Sequence, residues 1–371
     1  MVFTLKGLNI LRGVVRTYAW VIPGMKIKIQ DDRMKIKRCL ENPIVSPGKE
    51  SWRQAVTFNP GALFEDGKFY LYERAGGSLL PFRTHIGLLE SNDGIHFKLV
   101  KKQPVFTSSM IGYPEGSVQD ARIVKIEDKY YMNYAMQPYG FDCYPNGKGI
   151  PLYDTDNYPD WKKRPYPMIT QSGIAVSEDR ENFNHLCYTS PPDIDDRDHA
   201  LFPEKINGRF VLLRRPIEFV GKKYGTLKPG IWISNSEDLV NWTTPDLLAT
   251  SKYPWEGEKI GTAANPLKTE QGWLLLYHGV DKKAVYRVGA MLLDLEDPRK
   301  ILARTKHYIM EPEEDYEREG LVIPNVIFPT SIVNKDGMAY IYYGCCDTCI
   351  SLATVAVDEL VQYLLTEEKE N

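Results

Sequence analysis

One pattern recurs five times along this 371-residue chain: a turn signal followed by a dense aromatic and β-branched run. It appears as DGKFYLYERA (66–75), EDKYYMNYAM (127–136), NGRFVLLRRP (207–216), QGWLLLYHGV (271–280) and DGMAYIYYGC (336–345). Each reads as a strand entered from a tight turn. Upstream of each lies a second strand-like segment: AVTFNPGALFE (55–65), EGSVQDARIVKI (115–126), DHALFPEKI (198–206), GTAANPLKTE (261–270) and NVIFPTSIVNK (325–335). The pairs predict hairpins. A third member follows, as in THIGLLESNDGIHF and PGIWISNSEDLVNW, and repeatedly closes into an Asp-containing turn. The anchors Phe69, Tyr130, Phe210, Trp273 and Ala339 recur at intervals of roughly 60–80 residues, room for a four-stranded sheet with generous loops.

The predicted fold is therefore all-β, a five-bladed β-propeller with four-stranded antiparallel blades. Radial packing covers the sheet faces and leaves only short, protected edges. A pair of β-sandwiches is the competing arrangement, and it gives no reason for fivefold recurrence. The whole chain, 1–371, reads as one propeller domain, with an N-terminal extension (1–42), five blades (43–360), an insertion loop in the second blade (137–170) and a C-terminal tail (361–371). Helical spacing is visible only in DELVQYLLTEEKEN at the C-terminus.

With 43% hydrophobic residues and a formal charge of -3, the chain can bury a large core and lacks the concentrated basic excess that phosphate-backbone binding requires. Nucleic acid and membrane are excluded as main partners. The N-terminus has apolar pieces broken by Lys6, Arg12 and Arg16, with no export signal, which predicts a cytoplasmic protein. Six cysteines do not suggest a disulfide scaffold. Cys345, Cys346 and Cys349 sit together in a β-like run, but no second Cys/His pair completes a metal tetrahedron, so they read as buried thiols.

In a propeller the first strand of each blade lines the axis, and polar residues there converge on one funnel. The expected inner strands carry Asn59, Asp120 with Arg122, Arg197 with Asp198 and His199, Asn265, and Asn325. Desolvating such charges costs several kcal/mol unless they pair or serve a ligand. A second, cationic group, Arg197, Arg214, Arg215, Lys259 and His278, lies on or beside these strands and would bind an anion. P-loop, GxGxxG, HExxH and GxSxG motifs are absent. The 137–170 insertion is rich in Tyr, Pro and Gly; its aromatics either form a sugar-stacking lid or pack on themselves or on another subunit.

These residues resemble glycoside hydrolase family 130, the five-bladed β-mannoside phosphorylases and their hydrolytic relatives. The likeness spans roughly 43–360 and rests on FNPGA (58–62), QDARI (119–123), LFPEK (201–205), RRP (214–216), KIG (259–261), GWLLLYHGV (272–280) and YYGCCDT (342–348). It implies an inverting reaction in which phosphate attacks the anomeric carbon of a nonreducing-end β-mannosyl residue, giving α-mannose 1-phosphate and a shorter sugar. Asp120 would be the acid, acting through a mannose hydroxyl. Arg197, Arg215, Lys259 and His278 look like the phosphate set, Asp347 like a carboxylate holding mannose hydroxyls, and Asn59, Arg74, Arg83, Arg122 and Asp198 like further sugar contacts. Two departures stand out: QDAR replaces the usual EDPR, and RRP the usual HRP.

The expected activity is a cytoplasmic β-mannoside phosphorylase acting on β-1,4- or β-1,2-linked substrates, with inorganic phosphate as co-substrate and no cofactor or metal. A hydrolase of the same family would need an extra carboxylate as base, for which Glu256 and Glu258 are the candidates. A noncatalytic sugar-binding propeller is the third reading. The 1–42 segment is where subunit contacts of a homo-oligomer are expected.

Overall fold

The computed structural model describes residues 34, 36–139 and 170–369. By its contacts the chain divides after Met34, and the propeller lies in the unit from Lys35 to Asn371. Most of the 137–170 insertion, and with it the lid reading, lies outside the described residues.

Five antiparallel sheets form the blades. Blade 1 is built from Val56–Glu65, Lys68–Gly76, Thr84–Ser91 and Lys98–Leu99. Blade 2 uses Ser117–Ile126, Lys129–Gln137, Gln171–Ser177 and Asn184–Tyr188. Blade 3 uses Asp196–Leu201, Phe210–Pro216, Ile231–Ser236 and Asp246–Ala249. In blade 4 the inner position is shared by Lys259–Thr262 and Leu267–Lys268, followed by Trp273–Val280, Tyr286–Leu293 and Ile301–Arg304. Blade 5 runs Ile327–Lys335, Met338–Cys345 and Cys349–Ala356, and its outermost strand is Lys37–Arg38. Each blade begins at the axis and works outward, as the repeat predicts.

Lys37–Arg38 pairs with Thr354 and Ala353, so the beginning of the described chain closes the ring against its last blade. Residues read as an N-terminal extension thus supply a blade strand. Arg38 fixes the closure by donating to the buried Glu317 carboxylate from Nε (2.8 Å) and Nη2 (3.0 Å). Tyr343 donates to the same carboxylate at 2.8 Å. Beyond the fifth blade, Val357–Lys369 forms the one long helix among the described residues.

Between blades the faces meet in apolar clusters, for example Tyr72, Phe106, Met132 and Tyr134 between the first two, and Leu213, Trp273, Leu275 and Met291 between the third and fourth. The expected Asp turns are present in blades 1 to 4. Asp93, Asp179, Asp238 and Asp294 each accept two backbone N–H groups through Oδ1, which caps the turn after the third strand. Fixing that turn sets the register of the outer strand.

The inner strands carry the feature that builds the site. In blades 1, 2 and 3 their pairing slips between Phe58 and Gly61, Gln119 and Arg122, and Arg197 and Ala200. At each slip one residue adopts the left-handed conformation: Asn59 (φ 44°), Asp120 (φ 53°) and Asp198 (φ 56°). Asn and Asp tolerate that backbone better than other side chains with a Cβ. A bulge bends the strand and re-aims one side chain, so three equivalent bulges turn Asn59, Asp120 and Asp198 toward the axis.

Candidate active site

One cavity of about 140 Å³ at the axis is lined by Asn59, Arg74, Asp120, Arg197, Asp198, Arg215, Lys259, His278 and Asp347. Nine of the eleven residues given roles by the resemblance therefore meet, although they come from all five blades, whereas His199, Asn265 and Asn325 from the expected inner strands are not among the lining residues. Arg83 and Arg122 do not line it. Arg83 pairs with Glu115. Arg122 is 2% exposed and spends its guanidinium on backbone: Nε donates to Ala263 O (2.6 Å), Nη2 to Thr262 O (3.0 Å) and Nη1 to Asp120 O (3.3 Å). It bolts blade 2 to blade 4, and its guanidinium is turned to those carbonyls, not to the cavity.

On one side of the cavity sits the carboxylate pair. Asp120 Oδ1 accepts from Asn59 Nδ2 and Arg74 Nη1, both at 2.9 Å. Its Oδ2 takes none of the hydrogen bonds found among the described residues. One oxygen is thus pinned by two donors while the other has no hydrogen bond among the described residues. Arg74 is itself held, stacked over Phe58 at 4.4 Å and bonded to Thr84. Asp347 stands in the three-residue turn between the last two strands of blade 5, at φ 51°. Burial pushes its carboxyl up to about 6; Asp120 adds to the rise and Arg74 opposes it.

On the other side is the cationic set. Arg197 donates from Nε (2.7 Å) and Nη2 (2.8 Å) to the two oxygens of Asp195. Arg215 donates from Nε to Asp198 at 2.5 Å, while its Nη1 is buried without a hydrogen-bond partner among the described residues. Burial works against the charged form of Asp198, but Arg215, His278 and Arg122 hold its carboxyl well below the usual range. Each arginine is thus clamped by one carboxylate and keeps part of its donor fork for a ligand. Lys259 lies over the Tyr286 ring at 5.2 Å. Gly261 is required here: a Cβ would fall 2.2 Å from Asp198 Oδ2, 2.4 Å from His278 Cε1 and 2.8 Å from Arg215 Nε.

Two members of the cationic group differ from expectation. Strand alternation turns Arg214 to the face opposite Arg215, where Nε donates to Asp196 at 2.7 Å. It is a buried structural pair and does not reach the cavity. His278 lines the cavity but carries no charge at pH 7, because burial pushes its imidazole down to about 3, against the pull of Asp198 and helped by Arg215 and Lys259. It contributes a polar ring, not a cation.

Glu256 and Glu258, the candidate hydrolytic bases, lie off the cavity. Glu256 is fully buried and accepts from Tyr277 (2.6 Å), Arg304 (2.8 Å) and the backbone of Lys252 (2.7 Å). Glu258 pairs with Lys228 at 3.1 Å. Sequence reasoning missed Gln119, Gln137 and Tyr286, and also the apolar wall of Phe82, Val322, Ile323, Val326 and Phe328. A search for polar residues on apolar strands is blind to that wall. Among the described residues no three His, Cys, Asp or Glu side chains gather to hold a metal ion, and Cys345, Cys346 and Cys349 are buried thiols without a disulfide.

The cavity thus joins a carboxylate pair, an apolar wall and a set of carboxylate-clamped arginines beside Lys259. The model of the β-1,4-mannooligosaccharide phosphorylase family matches residues 32–366. The chain belongs to glycoside hydrolase family 130. Among curated relatives, a 1,2-β-oligomannan phosphorylase of Thermoanaerobacter sp. is 36% identical over 88% of this chain and 99% of its own length. A β-1,2-mannobiose phosphorylase of the same organism is 37% identical with the same coverage. A β-1,4-mannooligosaccharide phosphorylase of Ruminococcus albus is 32% identical over 81% of each chain. Among solved family 130 structures, the Listeria innocua β-1,2-mannobiose phosphorylase in complex with β-1,2-mannobiose superposes with TM-score 0.71 at 24% identity, covering 90% of this chain and 100% of that one. At that identity the likeness speaks for the fold. Among the described residues no helix is long and apolar enough to cross a membrane.

Proposed function

We propose that this protein is an inverting β-mannoside phosphorylase that uses inorganic phosphate as its only co-substrate, in a cytoplasmic setting. Phosphate oxygen attacks C1 of the terminal mannosyl residue from the cationic floor, the C1–O bond breaks, and the leaving oxygen takes a proton from a mannose hydroxyl, which Asp120 in turn reprotonates. The products are α-mannose 1-phosphate and a sugar one residue shorter.

The observation that carries the reading is the pairing of Asp120 with a cationic floor that still has donors to give. Arg215 Nη1 is buried and unpartnered, and an unsatisfied guanidinium nitrogen is costly unless a ligand completes it. Asp120 needs no carboxylate base opposite it when phosphate is the nucleophile, whereas the inverting hydrolytic scheme requires one. Asn59 and Arg74 hold its Oδ1, so the proton is delivered from Oδ2. The apolar wall headed by Phe82 and Phe328 suits the C–H face of a pyranose. For linkage, β-1,2 is favoured over β-1,4, since the two relatives matched along nearly their whole length are named for β-1,2 substrates.

The test is disaccharide cleavage with and without phosphate, using β-1,2- and β-1,4-mannobiose. Phosphate-dependent release of mannose 1-phosphate is expected, faster on the β-1,2 substrate. Free mannose released at the same rate without phosphate overturns the reading.

A further inference from the structure

Cys345 and Cys349 face each other as Cα partners on the second and third strands of blade 5, the last pair before the chain turns. Directly opposed residues in an antiparallel ladder lie about 4.5–5.5 Å apart at Cα, within the roughly 4.4–6.8 Å that a disulfide spans. The two side chains are in contact: burial pushes the Cys345 thiol up so that it keeps its proton, and the hydrogen bond it gives Cys349 draws that thiol down. Cys345 has no exposed surface and Cys349 is 6% exposed, so a small reagent meets Cys349 first. Cys346, the third thiol of the run, is occupied elsewhere, donating from Sγ to the Glu317 carbonyl at 3.0 Å.

Between the pair lies the turn 346–348. Cys346 and Asp347 are both left-handed (φ 48° and 51°), and the Thr348 N–H closes the turn on the Cys345 carbonyl at 2.9 Å. Asp347 lines the cavity. Thr348 Oγ1 accepts from the backbone N–H of Leu321 at 2.8 Å, next in sequence to Val322 and Ile323 of the apolar wall. The sulfur pair is therefore the base of the turn that presents the sugar-side carboxylate. A disulfide holds its sulfurs about 2.05 Å apart, far inside a thiol–thiol contact, so forming one draws the two strand ends together by on the order of 1 Å.

We propose that Cys345 and Cys349 are a modification site for a small peroxide, and that closing them to a disulfide displaces Asp347 and weakens mannoside binding. The Cys349 thiolate attacks one oxygen of hydrogen peroxide, the O–O bond breaks, and a sulfenic acid and water result after proton transfer. The Cys345 sulfur then displaces the sulfenic hydroxyl, which leaves as water with the Cys345 proton. The thiols lose two electrons and the peroxide gains them. A dithiol reverses the step by thiol–disulfide exchange. The effect on the sugar rests on the mannoside phosphorylase reading above, with Asp347 as a sugar contact; the phosphate floor, on blades 3 and 4, is left as it was.

The experiment treats the full chain with hydrogen peroxide, removes the excess with catalase and follows two readouts: cysteine linkages by peptide mass mapping, and binding of β-1,2-mannobiose and of phosphate by calorimetry. Expected are a Cys345–Cys349 linkage, mannobiose binding weakened by about tenfold or more, the worth of one hydrogen bond to a charged group, unchanged phosphate binding, and recovery with dithiothreitol. Cys349→Ser should bind mannobiose like the reduced chain and ignore peroxide. A chain left without the linkage after its other thiols have been oxidised overturns the proposal; so does a linked chain that binds mannobiose undiminished, or a loss that persists in Cys349→Ser. The first arm uses the unsubstituted chain and decides the matter even where the variant fails to fold. Reduced protein that binds no mannobiose would instead bring down the mannoside reading, and with it the effect claimed for its site.

Discussion

Replacing Gly261 by alanine tests whether the anion floor depends on backbone contact between blades 3 and 4. The added methyl would lie 2.2 Å from Asp198 Oδ2, 2.4 Å from His278 Cε1 and 2.8 Å from Arg215 Nε, all well inside van der Waals contact. None of these atoms can swing away cheaply. Asp198 is locked to Arg215 at 2.5 Å, with Arg122 and His278 both at 3.7 Å, and His278 is packed between Tyr286 and Phe328. Relief requires a displacement on the order of 1 Å, and overpacking of this kind costs roughly 1–3 kcal/mol. The fold survives that, with a melting temperature lower by several degrees. The site does not survive it equally well, since a misplacement of this size costs on the order of 100-fold in rate. Initial rates at varied phosphate and fixed mannoside should therefore show kcat/KM for phosphate falling about a hundredfold, with a smaller change in KM for the sugar, whose contacts lie across the cavity. A Gly261→Ala protein with phosphate kinetics within twofold of wild type would refute the argument that the packing of these three side chains on Gly261 holds Arg215 in place for the anion.

Asp120→Asn should lower turnover by about 10²–10⁴-fold while phosphate still binds in a calorimeter, because the variant loses the proton and keeps the amide contacts to Asn59 and Arg74; undiminished turnover would remove Asp120 from its role. Lys259→Ala is a cleaner probe of the floor than Arg215→Ala, because losing Arg215 strands the buried Asp198 and costs about 3–5 kcal/mol of stability. Lys259→Ala should raise KM for phosphate by roughly tenfold or more without lowering the melting temperature appreciably, and unfolding would mark Lys259 as structural. Asp347 has a pKa raised to about 6, so between its ordinary 3.8 and 6 the folded state binds more protons than the unfolded chain, and stability is lost as pH rises through that window. Asp347→Asn should therefore stabilise the protein above pH 6 and not near pH 4, read as melting temperature against pH, and should weaken mannoside binding; a pH-independent shift would contradict the assigned cause.

Much of this site could be read from sequence because geometry constrains residue type. A left-handed bulge position on an inner strand favours Asn or Asp, which is why Asn59, Asp120 and Asp198 stand out as polar letters inside apolar runs. The period of two along a strand could also have separated Arg215 from Arg214, whose partner Asp196 lies on the far face. Other features depend on neighbours that no local pattern names. Arg122 looks like a ligand residue until its guanidinium is found on the carbonyls of Thr262 and Ala263, in a blade distant in sequence. The neutrality of His278 comes from burial beside Arg215 and Lys259, and Glu256 could be told from a general base only once Tyr277 and Arg304 were seen to occupy it. The closure of blade 5 by Lys37–Arg38 likewise needed coordinates, since two residues carry no periodic signal.

That closure bears on when the cavity is complete. Asn59, which bonds Asp120, presses against Gly344 so tightly that a Cβ there would lie 2.0 Å from its Oδ1, and Asp347 follows three residues later. The acid side of the cavity thus straddles the joint between the first blade made and the last. A chain with only its first four sheets formed would still lack Asp347 at the cavity, and the ring is closed only when Arg38 bonds Glu317.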